Sequence, residues 1–530
     1  MNILEIENLC LSIHQTSILD NISLSLEVGN IHAITGESGA GKSMVACSIM
    51  QLFPNGTHVS GQIKFNGENL LMQTERQMCA IRGNKIGMVF QEPMTALNPV
   101  KTIGAQVAET IRIHKAISRE AANTSALNLL ARVGLPQNRF PISLYPHQLS
   151  GGQRQRVVIA IAIALRPKLL IADEPTTALD VTTQAKILNL LKDLVTENQM
   201  AMLMISHDLT VVANLANHIT VMKSGKIVES AKTHHLLSHM GHNYTKKLFF
   251  ASRHIVQLPK YTSSDTLLRV QNVSKDYQLP RTRLFKAGTK FRALNDISFQ
   301  LHKGERLGLV GESGCGKSTL VRAILGLNPV DNGNILLEDE PVFRANRPNF
   351  SIRHKMQVVF QDPFSSFNPR HRIDRLISEP FHLLPKSLSD RKRHDILSTA
   401  LTAVGLRPED AQKYIHEFSG GQRQRIAIAR AIVMQPELIL FDEAVSALDV
   451  SVKATILDLL ADLCHQYNLT YLFISHDLSV VRSVTDRVLV MKDGKIVERG
   501  QTDRVLSKPT HPYTKELISA APQLPNFDKF

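Results

Sequence analysis

IHAITGESGAGKSMVACSIM, residues 31–50, runs an apolar stretch into a glycine-rich octapeptide and out again into an apolar-faced segment. The octapeptide, Gly36 to Ser43, has the form G-x-x-x-x-G-K-[ST]. Its glycines are needed because successive backbone N–H groups must close around phosphate oxygens with no side chain in the way. Lys42 then supplies positive charge to the outer phosphates, and the Ser43 hydroxyl is offered to Mg²⁺. Strand, glycine loop and helix in this order open an α/β fold.

The same element returns as GESGCGKS at Gly311 to Ser318, 275 residues further on. VFQEPMTALNP from Val89 returns as VFQDPFSSFNP from Val359, at an offset of 270. LSGGQRQR from Leu149, LLIADEPTTALDV from Leu169 and ISHDL from Ile205 all recur at 269, from Phe418, Leu438 and Ile474. HNYTKKL from His242 returns as HPYTKEL from His511, again at 269. A register that holds this well means two homologous domains, placed at 1–251 and 267–530, with 252–266 as a short polar linker. The stretch Gln278 to Arg292, with Arg281, Arg283, Lys286, Lys290 and Arg292, reads as a solvated basic loop inserted in the second copy.

Around this repeat, composition narrows the class. The 530 residues, 43% hydrophobic and 20% charged, suit two globular domains with cores of their own. A formal charge of +14 favours polyanionic partners: nucleotides, nucleic acid or an anionic membrane surface. The longest apolar run, Val157 to Leu165, is nine residues, too short for a membrane-spanning helix. MNILEIENLC carries acidic residues where a signal peptide would be basic and then apolar, so the expectation is a cytosolic chain. The five cysteines, Cys10, Cys47, Cys79, Cys315 and Cys464, lie far apart, which fits reduced thiols and no metal cluster. His235, His239 and His242 share one helical face, but their counterparts Arg504, Lys508 and His511 mark them as surface cations rather than metal ligands.

KLLIADEP and LTYLFISHD read as apolar strands covered on both faces, so a parallel sheet with helices on either side is expected. The strand before Pro175 ends in Asp173-Glu174, and its copy in Asp442-Glu443. An aspartate there can hold Mg²⁺ while the next carboxylate orients and deprotonates an attacking water. SGGQ opens a helix in both copies, pointing backbone N–H groups and a positive dipole end at an anion.

Glycine loop, glutamine of VFQ, SGGQ, Asp-Glu pair, ALD and the histidine of ISHDL, in this order and twice, resemble the ATP-binding cassette (ABC) ATPases over nearly all of both halves. The resemblance implies two tandem P-loop domains, each a RecA-like, mostly parallel core with an antiparallel β subdomain and an α-helical subdomain. It implies that cassettes face head to tail and bind ATP and Mg²⁺ between them. One site then comprises Gly36, Glu37, Ser38, Gly39, Ala40, Gly41, Lys42, Ser43 and Met44 with Ser419, Gly420, Gly421 and Gln422. The other comprises Gly311, Glu312, Ser313, Gly314, Cys315, Gly316, Lys317, Ser318 and Thr319 with Ser150, Gly151, Gly152 and Gln153. By the same resemblance Ser43, Gln91 and Asp173, and Ser318, Gln361 and Asp442, hold the metal. Glu174 and Glu443 act on water, which Gln91 and Gln361 also touch, and His207 and His476 meet the γ-phosphate. Asp180 and Asp449 cross the interface, and Tyr277 stacks on adenine, where the first copy has Ile13 beside His14. The second copy departs at Ala444-Val445, where the first has Pro175-Thr176, but both sites read as complete and both are expected to hydrolyse ATP.

FQ[ED]P followed by LNP or FNP, YPHQLSGGQRQR and HPYT at His511 to Thr514 are similar to the dipeptide, oligopeptide and nickel importer group. Fused cassettes resemble its glutathione-type and microcin-type members. This implies two separate membrane-spanning permease subunits, docked near Gln91 to Pro99 and Gln361 to Pro369, and an extracytoplasmic solute-binding protein. The chain would sit peripherally on the cytoplasmic face of the inner membrane, without touching the transported substrate or nucleic acid. No cysteine follows Cys464, so no iron-sulfur cluster is expected. The alternative, a twin-cassette ABC translation factor acting on the ribosome, calls for a long charged linker and Asn-His-Leu-Asp after the carboxylate pair, where this chain has TTALD and VSALD.

Overall fold

The computed structural model describes residues 2–177, 179–261, 263–278, 290–345, 347–362, 366–384, 388–446 and 448–522. Each half is built on a six-stranded sheet with the same strand order. In the first half the order is Lys226–Lys232, His218–Lys223, Ile31–Thr35, Ala201–Ile205, Leu169–Asp173, Ile86–Val89. In the second it is Lys495–Gln501, Arg487–Lys492, Arg306–Val310, Tyr471–Ile474, Leu438–Asp442, Met356–Val359. Neighbours are parallel except at the Lys226 and Lys495 edges, where the strand turns back antiparallel. Ile31–Thr35, Leu169–Asp173 and Ala201–Ile205 are buried along their whole lengths, as strands covered on both faces must be.

The order places the site. Ile31–Thr35 is interior to its sheet: the chain leaves it for the Ile86 edge, returns through Leu169 and Ala201, then passes to His218 on its far side. Four strands therefore deliver the segments that follow them to one carboxyl edge, the usual place for a ligand in such a sheet.

A second, antiparallel sheet accompanies each core, formed by Asn2–Ile13, Thr16–Glu27, Thr57–Phe65 and Glu68–Asn69, and again by Thr266–Gln278, Lys290–His302, Asn332–Leu337 and Glu340–Pro341. A helical part (Ile103–His114, Arg119–Arg132; Asp390–Ala403) leads into the helices Gly151–Ala162 and Gly420–Ile432 that SGGQ opens. The expected α/β fold with antiparallel and helical additions is what forms. Among the described residues no helix is long and apolar enough to cross a membrane.

Two expectations need correction. The strand begins at Lys290, so Lys290 and Arg292 are not in a loop, and Arg292 pairs with Asp276 at 2.8 Å. Arg281, Arg283 and Lys286 lie outside the described residues. The segment after helix Asn243–Ser252 is more than a polar tether. Val256 is buried in the second half's core with Leu258 packed against it, and the Pro259 carbonyl accepts from the guanidinium of buried Arg306. Its apolar residues are too few and too spaced to show a period, so the pattern hides their burial. The last helix of each half packs on the other half, Asn243–Ser252 on Val450–Tyr467 and Pro512–Ala520 on Val181–Asn198.

Candidate nucleotide sites

Each glycine loop leads into a helix, Lys42–Ile49 or Lys317–Ile324, through a left-handed glycine, Gly41 at φ 93° and Gly316 at φ 110°. A Cβ at Gly36 would lie 2.2 Å from the carbonyl oxygen of Met222, so no other residue fits there. The Lys42 ammonium donates to the carbonyls of Gly36 and Glu37 at 2.9 and 2.8 Å, and Lys317 does the same to Gly311 and Glu312 at 2.7 and 2.9 Å. The buried lysines thus close the loops on themselves, and a phosphate would take over those contacts.

Ser43 Oγ donates to Asp173 Oδ1 at 3.1 Å. Burial pushes the Asp173 carboxyl up to about 6 despite that bond, and burial also raises Asp442. A buried carboxylate hydrogen-bonded to a hydroxyl offers hard oxygen donors that fit Mg²⁺. Glu174 and Glu443 follow directly in left-handed backbone, φ 46° and 51°. Such a conformation is strained for a non-glycine residue and is held here by Glu174 N–H to Ile205 and Glu443 N–H to Ile474.

Three groups converge on Glu174 Oε2: Gln91 Nε2 at 3.0 Å, Thr177 Oγ1 at 2.9 Å and His207 Nδ1 at 3.1 Å. Burial opposes its charge, but His207, Thr177 and Lys42 together hold the carboxyl at about 2. Glu443 Oε2 meets Gln361 Nε2 at 3.0 Å and His476 Nδ1 at 3.3 Å, and its carboxyl is also held low. Ser446, at the Thr177 position, turns its hydroxyl to the backbone carbonyl of Glu443 instead.

The halves meet across these sites. Ser38 N–H donates to Asp449 Oδ1 at 2.9 Å and Ser451 Oγ to Glu37 Oε1 at 2.6 Å. Reciprocally, Ser313 N–H donates to Asp180 Oδ2 at 3.4 Å and Thr182 Oγ1 to Glu312 Oε1 at 2.6 Å. Ser150 and Ser419 cap the signature helices in capping boxes with Gln153 and Gln422. The box uses the N–H groups of Ser150 and Gln153, not those of Gly151 and Gly152.

Other residues fall as follows. Tyr277 lies on the strand Thr266–Gln278 with its hydroxyl 3.3 Å from Asn328 Nδ2. Cys315 is buried, and burial raises its thiol although it precedes a helix, so proximity to that terminus does not activate it. His235 and His239 stack at 5.3 Å while His242 Nδ1 accepts from Tyr244 N–H, so the trio does not converge. Sequence reasoning missed Thr177 and two tyrosines. Tyr244 Oη accepts from Glu37 N–H at 3.1 Å and Tyr513 Oη from Glu312 N–H at 2.9 Å. The repeat of HNYT and HPYT was the signal, but nothing local tells that a helix some 200 residues later returns to the loop.

The sequence matches known proteins along its length. The ABC transporter family model matches residues 19–177 and 294–446. The chain belongs to the ABC transporter family. It is an ATP-binding subunit of that family, with ATPase activity coupled to import. The oligopeptide/dipeptide transporter C-terminal region matches residues 497–529. An uncharacterized ABC transporter ATP-binding protein YejF of Escherichia coli K12 is 44% identical, covering 98% of this chain and 99% of its own. The peptidoglycan transport ATP-binding protein YejF of Agrobacterium fabrum is 42% identical over 98% and 96%, and the glutathione import ATP-binding protein GsiA of Salmonella typhimurium 41% over 98% and 90%.

Proposed function

We propose that this chain energises an importer of peptides or related small solutes through two intrachain ATP sites. The observation that carries this reading is the reciprocal pairing of Ser38 with Asp449 and Ser313 with Asp180, which sets each half's glycine loop against the other half. Each triphosphate is then enclosed by one loop and by the signature helix of the opposite half, Gly36 to Ser43 with Ser419 to Gln422, and Gly311 to Ser318 with Ser150 to Gln153.

Lys42 and Lys317 neutralise the outer phosphates, and Ser43, Asp173 and Gln91, or Ser318, Asp442 and Gln361, hold Mg²⁺, which offsets charge on the phosphates when bound. Glu174 and Glu443 take the proton of the water that attacks the γ-phosphorus, held in place by His207 and His476. Loss of the γ-phosphate weakens the seam it bridges, and the halves part.

Two permease subunits dock near Gln91 to Pro99 and Gln361 to Pro369, where Met94 and Val100 stand exposed at 62% and 79% and residues 363–365 lie outside the described residues. The chain is peripheral to the inner membrane, a solute-binding protein delivers cargo, and no transported substrate touches the cassettes. Domains of 1–251 and 267–530 complete one another's sites.

The test is Glu174→Gln and Glu443→Gln, made singly, with ATP turnover measured over a range of protein concentrations. Each is expected to lower turnover, a double variant by about 10²–10⁴-fold. Unchanged turnover in either removes hydrolysis from that site, and activity that needs two chains to associate overturns the intrachain pairing.

A further inference from the structure

Each seam is closed by an aspartate that opens a helix, yet the two aspartates are bound differently. Asp180, ahead of helix Val181–Asn198, is held mainly by that helix. Its Oδ1 accepts from Thr183 N–H at 2.9 Å and lies 2.9 Å from Thr182 Oγ1, and its Oδ2 accepts from Thr183 Oγ1 at 3.2 Å. The contact that Oδ2 makes with Ser313 N–H of the other half is 3.4 Å long, beyond the roughly 2.7–3.2 Å of an ordinary N–H···O bond. At the place related by the repeat, Asp449 takes no side-chain cap from its own helix, Val450–Tyr467. Val452 stands where Thr183 stands and has no hydroxyl to give. Among the described residues the side-chain partner of Asp449 is Ser38 N–H across the seam, at 2.9 Å.

Neighbouring residues carry the same contrast. Thr182 shares its one hydroxyl proton between Glu312 Oε1 at 2.6 Å and Asp180 Oδ1, whereas Ser451 directs its own to Glu37 Oε1 across the seam, at 2.6 Å. Lys453, where the first half has Gln184, donates to Asp477 at 2.9 Å. Against burial, Asp477 and, from the other half, Asp208 both favour the charge of that lysine. A charge-assisted bond of ordinary length and an attraction between ions thus hold the first glycine loop to the opposite half. The second is held by a stretched bond to a carboxylate that its own helix already satisfies.

We infer that the two seams part in a fixed order, the one over Gly311–Ser318 before the one over Gly36–Ser43, and that Thr183 imposes it by keeping Asp180 on its own helix. Thr183 is a positioning residue, acting on the nucleotide site through Asp180. Its methyl group packs on the signature, where a Cβ at Gly152 would lie 2.2 Å from Thr183 Cγ2. Val452 packs on Gly421 in the same way, with 2.5 Å to Cγ1, so the hydroxyl is what separates the two positions. The order rests on the reading that each nucleotide is enclosed between the halves. Nucleotide then leaves the second glycine loop first, while the seam at the first still joins the halves.

The experiment uses the full chain carrying Glu174→Gln and Glu443→Gln, so that hydrolysis does not intervene. Lys42→Ala leaves the second site to bind N-methylanthraniloyl-ATP and Lys317→Ala leaves the first, and release into excess ATP is followed by stopped flow. Release from the second site is expected to be about fivefold faster, the worth of roughly one hydrogen bond. Thr183→Val, which keeps the shape, should slow it at least about threefold, Thr183→Ser should keep it fast, and Val452→Thr should speed release from the first site only. Equal release from the two sites, or second-site release that Thr183→Val leaves unchanged, overturns the order. Ser150→Ala and Ser419→Ala, run alongside, should speed release from the second and the first loop respectively. If they do and Thr183→Val has no effect, this inference alone fails; if neither does, the enclosure of nucleotide between the halves fails and the order falls with it.

Discussion

The hydroxyl of Tyr244 accepts a hydrogen bond from the backbone N–H of Glu37 at 3.1 Å, tying the last helix of the first half to its own glycine loop. Lys223 sits 4.9 Å from the ring centre on the other side, so the phenol is fixed from ring and tip. Tyr244→Phe leaves the ring packed and the loop N–H without its acceptor. About 1 kcal/mol is lost there, and nucleotide affinity at the first site is expected to fall roughly fivefold with the melting temperature nearly unchanged. A fluorescent-nucleotide titration in the Lys317→Ala background reads that site alone, and unaltered affinity refutes the role.

The two proposed general bases differ by one hydrogen bond. Thr177 gives Glu174 a third hydrogen bond that Ser446 does not give Glu443. A carboxylate so fully satisfied is a weaker proton acceptor. The chain left with only its second site by Glu174→Gln is expected to turn over faster than the Glu443→Gln chain, by about threefold. Thr177→Ala in the Glu443→Gln chain should narrow the gap through kcat, with KM for ATP unchanged. Equal kcat before and after removes the threonine from the mechanism.

Acid should weaken the first half before the second. His32 is 3% exposed, with Nε2 2.8 Å from Thr220 Oγ1, and burial together with nearby His218 lowers its pKa to about 4. Its counterparts in the second half are Leu307 and Arg487. Because the folded pKa lies below the unfolded value of about 6.5, the unfolded chain binds the proton first. Stability is therefore complete above about pH 6.5 and falls as pH drops toward 4, by about 3 kcal/mol in all. Denaturant midpoints at pH 7 and pH 5 should differ less in His32→Leu, and an equal difference would exonerate the histidine.

Thiol chemistry should follow exposure. Cys79 is exposed, whereas Cys315 and Cys464 are buried and their thiols raised by burial, Cys464 to about 11. Iodoacetamide at neutral pH is expected to modify Cys79 first and to spare Cys315 even without nucleotide, as peptide mass spectrometry would record. Early labelling of Cys315 contradicts the closed loop.

Most of the architecture could be read from the chain because its signals are local. A glycine loop, a capping box and an all-apolar strand each require particular residues at fixed spacings, and the repeat doubled every one of them. The convergence of Gln91, Glu174 and His207 could be expected only through the family, since three separate strands bring them to one edge. Thr177 escaped notice because its neighbour in the motif carries the same side chain and only rotamers decide which one bonds. Tyr244 and Tyr513 escaped because they act on a loop far away in sequence. Polar composition likewise disguised Val256, a single apolar residue whose burial depends on a partner surface.

That valine limits how the molecule can be divided. A fragment starting at Thr266 would carry every motif of a complete cassette yet leave a hole where Val256 belongs, along with an Arg306 guanidinium deprived of the Pro259 carbonyl. Filling the hole with one valine is worth about 1.5–3 kcal/mol, a sizeable part of a domain's net stability. Two genes cut at the obvious seam would therefore not encode interchangeable halves: the downstream product inherits a wound that only the upstream product's last residues close.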